Sequence, residues 1–461
     1  MSVQLVPYLY IASVALFILS LKWLSGVRTS RFGNWAGALG MVIAVGATLI
    51  AFKAGRYDLL VIAVAIGALI GVPIALFMPM TAVPQRTALS HAFGSLAAAL
   101  VGTAEFYQKS PDINSFTMSI LAVEMILGYL TFTGSLIAFS KLQELFLDRP
   151  ITYKGRNIIT LSVLGIALAL AVALVLDPSQ TVLLPLMAAT ALVFGILLVI
   201  GIGGADMPTV IAILNSYAGL SAAALGLVLN NKLLIVAGAL DGSSGFILAV
   251  LMCKAMNRSF LNVLFGGVGA VKASKEKEEE VYSGRVKSAS PEEVAALLET
   301  ASRVVVVPGY GLAVAQAQHA LGDLCKLLES KGVVVEFGIH PVAGRMPGHM
   351  NVLLAEADVP YEKLREMDAI NPTFRETDVA LVVGANDVVN PLARDTDSAN
   401  PIAGMPILDV DAAKTVVVIK RSLSPGFAGI PNPLFAADNT LMLFGDAKQM
   451  VLALTAAVKG A

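Results

Sequence analysis

The chain has 461 residues, of which 56% are hydrophobic and 14% are charged, and its formal net charge is −1. Soluble globular domains carry about 25% charged residues, so the composition excludes a wholly soluble protein. The small net charge gives no electrostatic support for nucleic-acid binding. Charged side chains are concentrated towards the C-terminus, with 22 in residues 1–254 and 43 in residues 255–461. We therefore expect a membrane half followed by a soluble half.

Nine apolar runs in the first half are long enough to cross a bilayer, which takes about 20 residues in a helix. They fall at 6–24, 34–52, 58–78, 87–104, 116–140, 158–176, 181–201, 208–229 and 232–254. The sequence therefore predicts a polytopic α-helical membrane domain, to which we assign residues 1–270.

An odd number of spans places the two ends of the chain on opposite sides of the membrane. With the N-terminus outside, the inside loops hold Lys22, Arg28, Arg31, Arg86, Lys141, Arg149, Lys154 and Arg156. The outside loops hold Lys53, Arg56, Lys109 and Lys232. Because loops rich in Lys and Arg stay on the cytoplasmic side, this imbalance predicts a cytoplasmic C-terminal domain.

Four polar side chains lie within the apolar runs, where such groups by default face a bundle interior or a water path. His91 is a candidate proton carrier because an imidazole ionises near neutral pH, although it could also be a helix-end residue bonded to backbone. Asn215 is a second candidate, or a simple hydrogen bond between helices. Glu124 and Asp241 rank below them, as proton-pathway groups or paired structural acids.

A glycine-rich segment separates the seventh and eighth runs, on the side that faces the soluble domain. It reads Gly-Ile-Gly-Gly-Ala-Asp-Met-Pro over residues 201–208. Three glycines and an acid indicate a specialised hinge rather than a plain connector, and we name residues 201–208 the hinge. Asp206 is its candidate functional residue.

Residues 271–290 are charged and non-periodic, which predicts a linker. Ser290, Pro291 and Glu293 then form a strong helix-start signal, so we place a soluble domain at 291–461. Stretches rich in β-formers at 304–307, 333–337, 378–383 and 415–419 alternate with helical segments. This alternation predicts an α/β doubly wound, Rossmann-like domain.

The first of these strands runs into a segment typical of a dinucleotide phosphate loop. Its residues are Gly309, Tyr310, Gly311, Leu312, Ala313 and Val314. Val314 stands where the usual third glycine would be, and an ordinary tight turn is the alternative. The segment therefore predicts a nucleotide site at the end of this strand.

The charges near the strand ends favour a nucleotide with a 2′-phosphate. Glu336 lies inside the second strand rather than at its end, where an acid would bind the ribose of NAD. Lys420, Arg421 and Ser422 instead follow the strand 415–419, and paired cations suit a phosphate. A solvated basic loop is the alternative interpretation.

Three further loops are candidate contacts of the nucleotide, each with an ordinary surface turn as the alternative. The first follows the strand 378–383, at the edge where open sheets bind ligands. The second is rich in glycine and proline, and the third could fold over the nucleotide as a lid. Their residues are Gly384, Ala385, Asn386 and Asp387; Val342, Ala343, Gly344, Arg345, Met346 and Pro347; and Gly426 and Phe427.

Taken together, these motifs resemble the β subunit of proton-translocating NAD(P) transhydrogenase along nearly the whole chain. The resemblance rests on runs such as Gly-Gly-Ala-Asp206-Met-Pro, Leu-Asn215-Ser-Tyr, Met-Cys-Lys-Ala-Met-Asn-Arg258-Ser and Pro-Gly309-Tyr-Gly-Leu-Ala-Val-Ala-Gln-Ala-Gln318. It continues through His340-Pro-Val-Ala-Gly-Arg-Met-Pro-Gly-His-Met-Asn351, Gly-Ala-Asn386-Asp387, Lys420-Arg-Ser422 and Phe444-Gly-Asp-Ala-Lys448. The chain departs from the family pattern at Phe427, where tyrosine is expected, and at Asp241, where an apolar residue is expected.

The resemblance implies that NADH reduces NADP⁺ by direct hydride transfer while a proton moves inward. It places NADP(H) on this chain in an orientation reversed from ordinary Rossmann enzymes, with Asp446, Ala447 and Lys448 among the contacts. It assigns proton translocation and coupling to His91, Asn215 and Asp206, and it implies no metal.

The resemblance also implies a partner. NAD(H) would bind an α subunit, in one or two chains, that also supplies the remaining membrane helices. The assembly would be a dimer of αβ units in a bacterial inner membrane. The main alternative function is an ion channel or transporter with a regulatory nucleotide-binding domain.

Overall fold

The structure is a computed structural model that describes residues 5–26, 29–51, 56–143, 145, 150–151, 153–265, 281–282, 284–346, 348–396 and 400–460. Within these ranges nine helices are long and apolar enough to cross a membrane. They are α1 Val6–Leu24, α2 Ser30–Ala51, α3 Tyr57–Phe77, α4 Val83–Lys109, α5 Ser115–Leu142, α6 Arg156–Leu176, α7 Leu183–Ile200, α8 Met207–Val228 and α9 Lys232–Ala255. The chain is thus a multi-pass membrane protein, and all nine predicted spans are confirmed.

The largest difference from the predicted spans is at α4, which extends beyond the run 87–104 at both ends. The added turns contain Gln85, Arg86 and Lys109, which are polar but form helix readily. Three of the loop cations named above, Arg28, Lys53 and Arg149, lie outside the described residues. Residues 266–280 and 283, which include the predicted end of the membrane domain and part of the predicted linker, also lie outside them. The domain boundaries and the sidedness therefore stay predictions.

Helix α5 lies at the centre of the membrane domain and packs against α4, α6, α7 and α8. Helices α8 and α9 form a second close pair, and α1 pairs with α2 at the periphery and touches α9. Helix α3 contributes no buried residue. Apolar surface of this kind is compatible with lipid or with another membrane helix.

The hinge is held by two cations that reach the C-terminal end of α7. Lys141 Nζ donates to the carbonyl oxygens of Ile200 and Ile202, at 2.7 Å each. The Arg156 guanidinium donates to the oxygen of Gly201 at 3.2 Å. Both cations are buried, and the carbonyls at a helix C-terminus lack partners within the helix and carry partial negative charge. The hinge therefore has a fixed position relative to α5 and α6.

The soluble domain contains a six-stranded parallel sheet in the order β3-β2-β1-β4-β5-β6. The strands are β1 Arg303–Pro308, β2 Val334–Ile339, β3 Leu364–Glu366, β4 Val379–Val383, β5 Thr415–Lys420 and β6 Thr440–Phe444. The helices after α9 are α10 Phe260–Phe265, α11 Pro291–Thr300, α12 Tyr310–Val314, α13 Gln318–Ser330, α14 His349–Glu356, α15 Met367–Ile370 and α16 Ala447–Gly460. This is the doubly wound order, so the predicted fold class is confirmed.

Two strands are missing from the sequence-based prediction. β3 is a three-residue edge strand with two exposed charged residues, too short to give a pattern. β6 contains Leu441, Met442 and Leu443, which also suit a helix. The other four strands match their predicted positions because each is a longer run of β-branched residues.

The four valines of β1 are the reason that the sequence predicts this strand. Val304 and Val306 pack into the hydrophobic cluster on one face of the sheet, and Val305 and Val307 pack into the cluster on the other. All four are fully buried. A parallel strand covered on both faces reads as a continuous apolar run rather than as an alternating one.

The soluble domain lies directly against the membrane domain. Gln316 Nε2 donates to Thr81 Oγ1 at 2.6 Å, and Asn257 Nδ2 donates to the carbonyl of Ala403 at 3.2 Å. Thr81 precedes α4 and Asn257 follows α9, so these ends lie on the same side of the membrane domain. The hinge lies on this side as well.

Ser290 caps the first helix of the soluble domain, and its substitution tests how much this cap stabilises the domain. Its hydroxyl accepts from Glu293 N at 3.2 Å while the Glu293 carboxylate accepts from Ser290 N at 2.8 Å, which is a complete capping box. Ser290→Ala is expected to lower the free energy of unfolding of a soluble fragment 281–461 by about 1 kcal/mol, measured by urea denaturation. Ser302→Ala, at an exposed serine, is the matched control. Equal effects of the two substitutions would contradict the prediction.

Candidate functional site

The loop after β1 crosses the loop after β4 with the two backbones in contact. Gly309 N donates to Val383 O and Gly311 N donates to Gly384 O, at 2.9 Å each. A Cβ at Gly309 would lie 2.3 Å from Ala385 Cα, and Gly384 has a φ of +68°. Both positions therefore require glycine. The crossing lies where the strand order reverses, which is the ligand-binding edge of a doubly wound sheet.

A cavity of about 440 Å³ lies at this crossing. Sites for small molecules and cofactors typically occupy about 300–1,000 Å³. The walls come from the loops that follow β1, β2, β4, β5 and β6 and also from Asp206, Met256 and Arg258 of the membrane domain. The cavity is therefore bounded by both domains.

Most of the residues predicted to bind the nucleotide line this cavity. They are Gly309, Tyr310, Gly311, Val314, Val342, Ala343, Gly344, Gly384, Ala385, Asn386, Asp387, Lys420, Arg421, Ser422, Gly426, Phe427, Asp446 and Ala447. The structure thus brings together five loops that are distant in sequence.

A few predicted residues lie elsewhere. Leu312 and Ala313 are buried in the core beneath the first loop. Met346 and the exposed Lys448 do not line the cavity, and Pro347 lies outside the described residues. Leu312 and Ala313 face the core because a single helical turn cannot present every side chain to one ligand.

The two cations after β5 have different surroundings. Lys420 Nζ donates to the carbonyl of Ser424 and lies 5.2 Å from the ring centroid of Phe435. Ser422 Oγ donates to Ser424 Oγ at 2.9 Å. These contacts hold the chain just before Gly426. Arg421 is exposed and lines the cavity, so its guanidinium is placed to meet an anionic ligand.

Asp387 holds the candidate lid, residues 425–429, against the cavity. Its Oδ2 accepts from Ala428 N at 3.0 Å, and Phe427 N is a second donor. A Cβ at Gly426 would lie 2.5 Å from Asp387 Oδ1. Burial raises the pKa of Asp387 to about 6, and the Ala428 N–H and the Lys420 charge oppose this rise. The lid is thus anchored through a carboxyl group that titrates near neutral pH.

Arg345 lies behind the aromatic wall of the cavity rather than on its surface. Its guanidinium carbon is 4.2 Å from the ring centroid of Tyr310 and 5.8 Å from that of Phe427. Its Nη1 donates to the carbonyl of Leu142 at 2.8 Å. Arg345 is buried and therefore connects the C-terminal end of α5 with two rings that line the cavity.

An ion pair at the cavity wall was missed by sequence reasoning. Arg258 Nη1 lies 2.7 Å and 3.0 Å from the two carboxylate oxygens of Asp206. Asp206 was assigned to the hinge alone, and Arg258 was noted only as part of a motif. Burial raises the pKa of Asp206 to about 6, and the charge of Arg258 opposes this rise. The motif that ends in Arg258, directly after α9, was the available signal.

Three polar side chains meet inside the membrane domain. Asn215 Nδ2 on α8 donates to both Oδ1 and the carbonyl oxygen of Asp241 on α9, at 3.2 Å each. The same carboxamide faces the imidazole of His91 on α4. Glu124 on α5 is buried and instead accepts from Ser221 Oγ at 3.3 Å. Of the four candidates named from the sequence, His91, Asn215 and Asp241 therefore lie together, and Glu124 lies apart from them.

Fold and site together define a class of protein. The described residues form a membrane domain of nine helices and a Rossmann-like domain whose ligand cavity is shared between the two. This arrangement is that of a membrane protein in which the membrane domain forms part of the wall of a cavity in the soluble domain.

Comparison with known proteins identifies the family. The family described as NAD(P) transhydrogenase beta subunit matches residues 6–457. Two relatives from Rhodospirillum rubrum, both named NAD(P) transhydrogenase subunit beta, are 47% identical over 448 residues, which cover 96% of this chain and 96% of theirs. The chain belongs to the NAD(P) transhydrogenase beta subunit family, which confirms the resemblance seen in the sequence. The family is one of oxidoreductases, and the name implies an alpha subunit.

Asp387 gives a prediction about pH. As the pH falls from 7 to 5, the Asp387 carboxylate takes up a proton and becomes a weaker hydrogen-bond acceptor. The rate of amide hydrogen exchange at Phe427 and Ala428, corrected for the intrinsic pH dependence of exchange, is therefore expected to increase. The pKa of Asp387 is higher in the folded state than in the unfolded state. Protonation therefore favours the folded state, and the free energy of global unfolding does not fall over this pH range. Hydrogen-exchange mass spectrometry on the full chain measures the effect.

An internal reference and a variant control this measurement. The amides of Ser302 and Arg303 donate to Asp378, whose pKa is lowered by the hydrogen bond from Lys414, so their exchange should not change. Asp387→Asn keeps a side-chain oxygen without titrating and should show no pH dependence. Equal pH dependence in this variant and the wild type would disprove the role of Asp387.

Proposed function

We propose that this chain is the NADP(H)-binding and proton-conducting subunit of a proton-translocating NAD(P) transhydrogenase. In this enzyme NADH reduces NADP⁺ while a proton moves inward across the membrane. The observation that carries the proposal is the cavity wall, to which the membrane domain contributes the Asp206–Arg258 ion pair. A change in the membrane domain can therefore act on the bound nucleotide directly.

The residues at the cavity suit NADP(H). The crossing at Gly309 and Gly384 brings two backbone loops together at the edge of the sheet where a pyrophosphate would bind. Arg421 offers a planar fork that matches the two oxygens of a 2′-phosphate. Glu336, the acid nearest the position used for the NAD ribose, is instead paired with Arg303 and Arg365. The bound nicotinamide would supply the hydride chemistry, while this chain binds and orients it.

Coupling to protons would act through nucleotide binding. Hydride transfer between two nicotinamides is nearly balanced in free energy, so the proton gradient must change the affinity for substrates and products rather than the chemical step. Asp206 directly precedes α8, the helix that carries Asn215, and it also lines the cavity. Protonation near His91 could thus shift the cavity between open and occluded states.

The proposal includes a partner and a location. NAD(H) would bind an alpha subunit, in one or two chains, that also supplies further membrane helices, and the assembly would be a dimer of such units. The exposed apolar surface of α3 is compatible with this. The enzyme would lie in a bacterial inner membrane, and the imbalance of Lys and Arg in the loops supports a soluble domain in the cytoplasm.

Transhydrogenation measured with and without a proton gradient separates this function from its main alternative. A channel or transporter with a regulatory nucleotide domain would bind nucleotide but transfer no hydride.

Arg421→Ala is expected to weaken NADP(H) binding roughly 10- to 100-fold, because a charge-assisted phosphate contact contributes about 1.5–3 kcal/mol. NAD(H) affinity should stay the same, since NAD(H) lacks the phosphate. Calorimetry with both nucleotides measures the difference. Arg375→Ala, at an exposed arginine near the amino end of β4, is the control. Equal affinity of the wild type for NADP(H) and NAD(H) would refute the assignment.

His91→Ala is expected to abolish proton pumping and proton-linked transhydrogenation while NADP(H) binding remains. The reason is that His91 is the only histidine in residues 1–254, and its imidazole faces Asn215 inside the membrane domain. The measurement is acidification of vesicles that carry both subunits, alongside hydride transfer. The exposed His319→Ala is the matched control. Pumping by His91→Ala at the wild-type rate would leave Glu124 or Asp241 as the carrier.

A further inference from the structure

Asp241 supplies two hydrogen-bond acceptors to the nitrogen of the Asn215 carboxamide. The amide nitrogen has two hydrogens, and the two acceptors within 3.2 Å of Nδ2 are the carboxylate Oδ1 and the backbone oxygen of Asp241. With the nitrogen engaged in this way, only the amide oxygen remains to face His91. An amide oxygen accepts hydrogen bonds and cannot donate them.

Close contact between α8 and α9 fixes this arrangement. A Cβ at Gly219 of α8 would lie 2.2 Å from the backbone nitrogen of Gly242, next to Asp241. A Cβ at Gly245 would lie 2.8 Å from Asn215 Nδ2. Glycine at these positions lets the two helices meet and leaves room for the carboxamide. Asn215 is therefore held between Asp241 and Gly245.

We propose that Asp241 is a positioning residue for proton transfer, which fixes the Asn215 carboxamide so that its oxygen accepts from His91. His91 must then present an N–H to Asn215, as either an imidazolium or one neutral tautomer. Without the Asp241 carboxylate, one N–H of the Asn215 carboxamide loses its acceptor. The carboxamide can then rotate so that its N–H, rather than its oxygen, faces His91. Asp241 thus acts through Asn215. The inference rests on the proposed proton-pumping function.

The buried acid Glu124 does not perform this task, because its carboxylate bonds to Ser221 on another turn of α8. Asp241 is exposed on α9 in the single chain. An ionised side chain that faces hydrocarbon is costly, so the experiment uses the enzyme assembled with its partner subunit.

The test compares Asp241→Val, Asp241→Asn and Ser244→Ala in reconstituted two-subunit vesicles. Asp241→Val removes the side-chain acceptor and is expected to lower kcat of proton-linked transhydrogenation roughly tenfold, with KM for NADP(H) unchanged. Asp241→Asn keeps an acceptor oxygen and should stay within about threefold of the wild type. Ser244 lies on the same helix one turn away and bonds to Leu240 O of its own helix, so its alanine variant is the control.

A double-mutant cycle with Asn215→Ala tests whether Asp241 acts through Asn215. In that background Asp241→Val should have no further effect. The proposal is overturned if Asp241→Val matches the wild type, if Asp241→Asn is as impaired as Asp241→Val, or if the effects of the two sites add. The comparison of the valine and asparagine variants decides the matter even where Asn215→Ala leaves no activity. A failure of the proposed function itself would be seen separately, as absent pumping in the wild type.

Discussion

The ion pair between Asp206 and Arg258 is the interaction that fixes the part of the membrane domain bordering the cavity. It joins the residue before α8 to a residue just after α9, so it ties together the cavity-side ends of the helices that carry Asn215 and Asp241. Both partners are largely removed from water. Loss of either partner leaves an uncompensated buried charge, at a cost of about 3–5 kcal/mol. The same two side chains form part of the cavity wall.

The surroundings of the ion pair explain why it keeps a defined position. Lys141 and Arg156 bind the carbonyl oxygens at the end of α7 and in the hinge, so the backbone that carries Asp206 is held from two other helices. One residue beyond Lys141, the carbonyl of Leu142 accepts from Arg345. The C-terminal end of α5 therefore contacts the hinge through Lys141 and contacts Arg345, behind the aromatic wall of the cavity, through the carbonyl of Leu142.

The soluble domain contributes the glycine crossing and the candidate lid to the cavity. At the crossing between the loops after β1 and β4, backbone contact leaves no room for side chains. The lid, residues 425–429, is held by the bond from Ala428 N to Asp387, and Lys420 binds the carbonyl of Ser424 just before it. Because burial raises the pKa of Asp387 to about 6, the bond to the lid depends on pH near neutrality, whereas the backbone contacts of the glycine crossing do not.

The sequence alone determined the spans, the four longer strands and the loops that meet at the cavity, because these depend on local apolar runs, glycines and strand ends. It could not determine β3, which is only three residues long, or β6, whose Leu, Met and Leu also suit a helix. It also could not show that Arg258 pairs with Asp206, that Arg345 stacks behind Tyr310, or that Asp241 engages Asn215. Those contacts join segments far apart in the chain, and only the packing of the helices and domains brings their side chains within hydrogen-bonding distance.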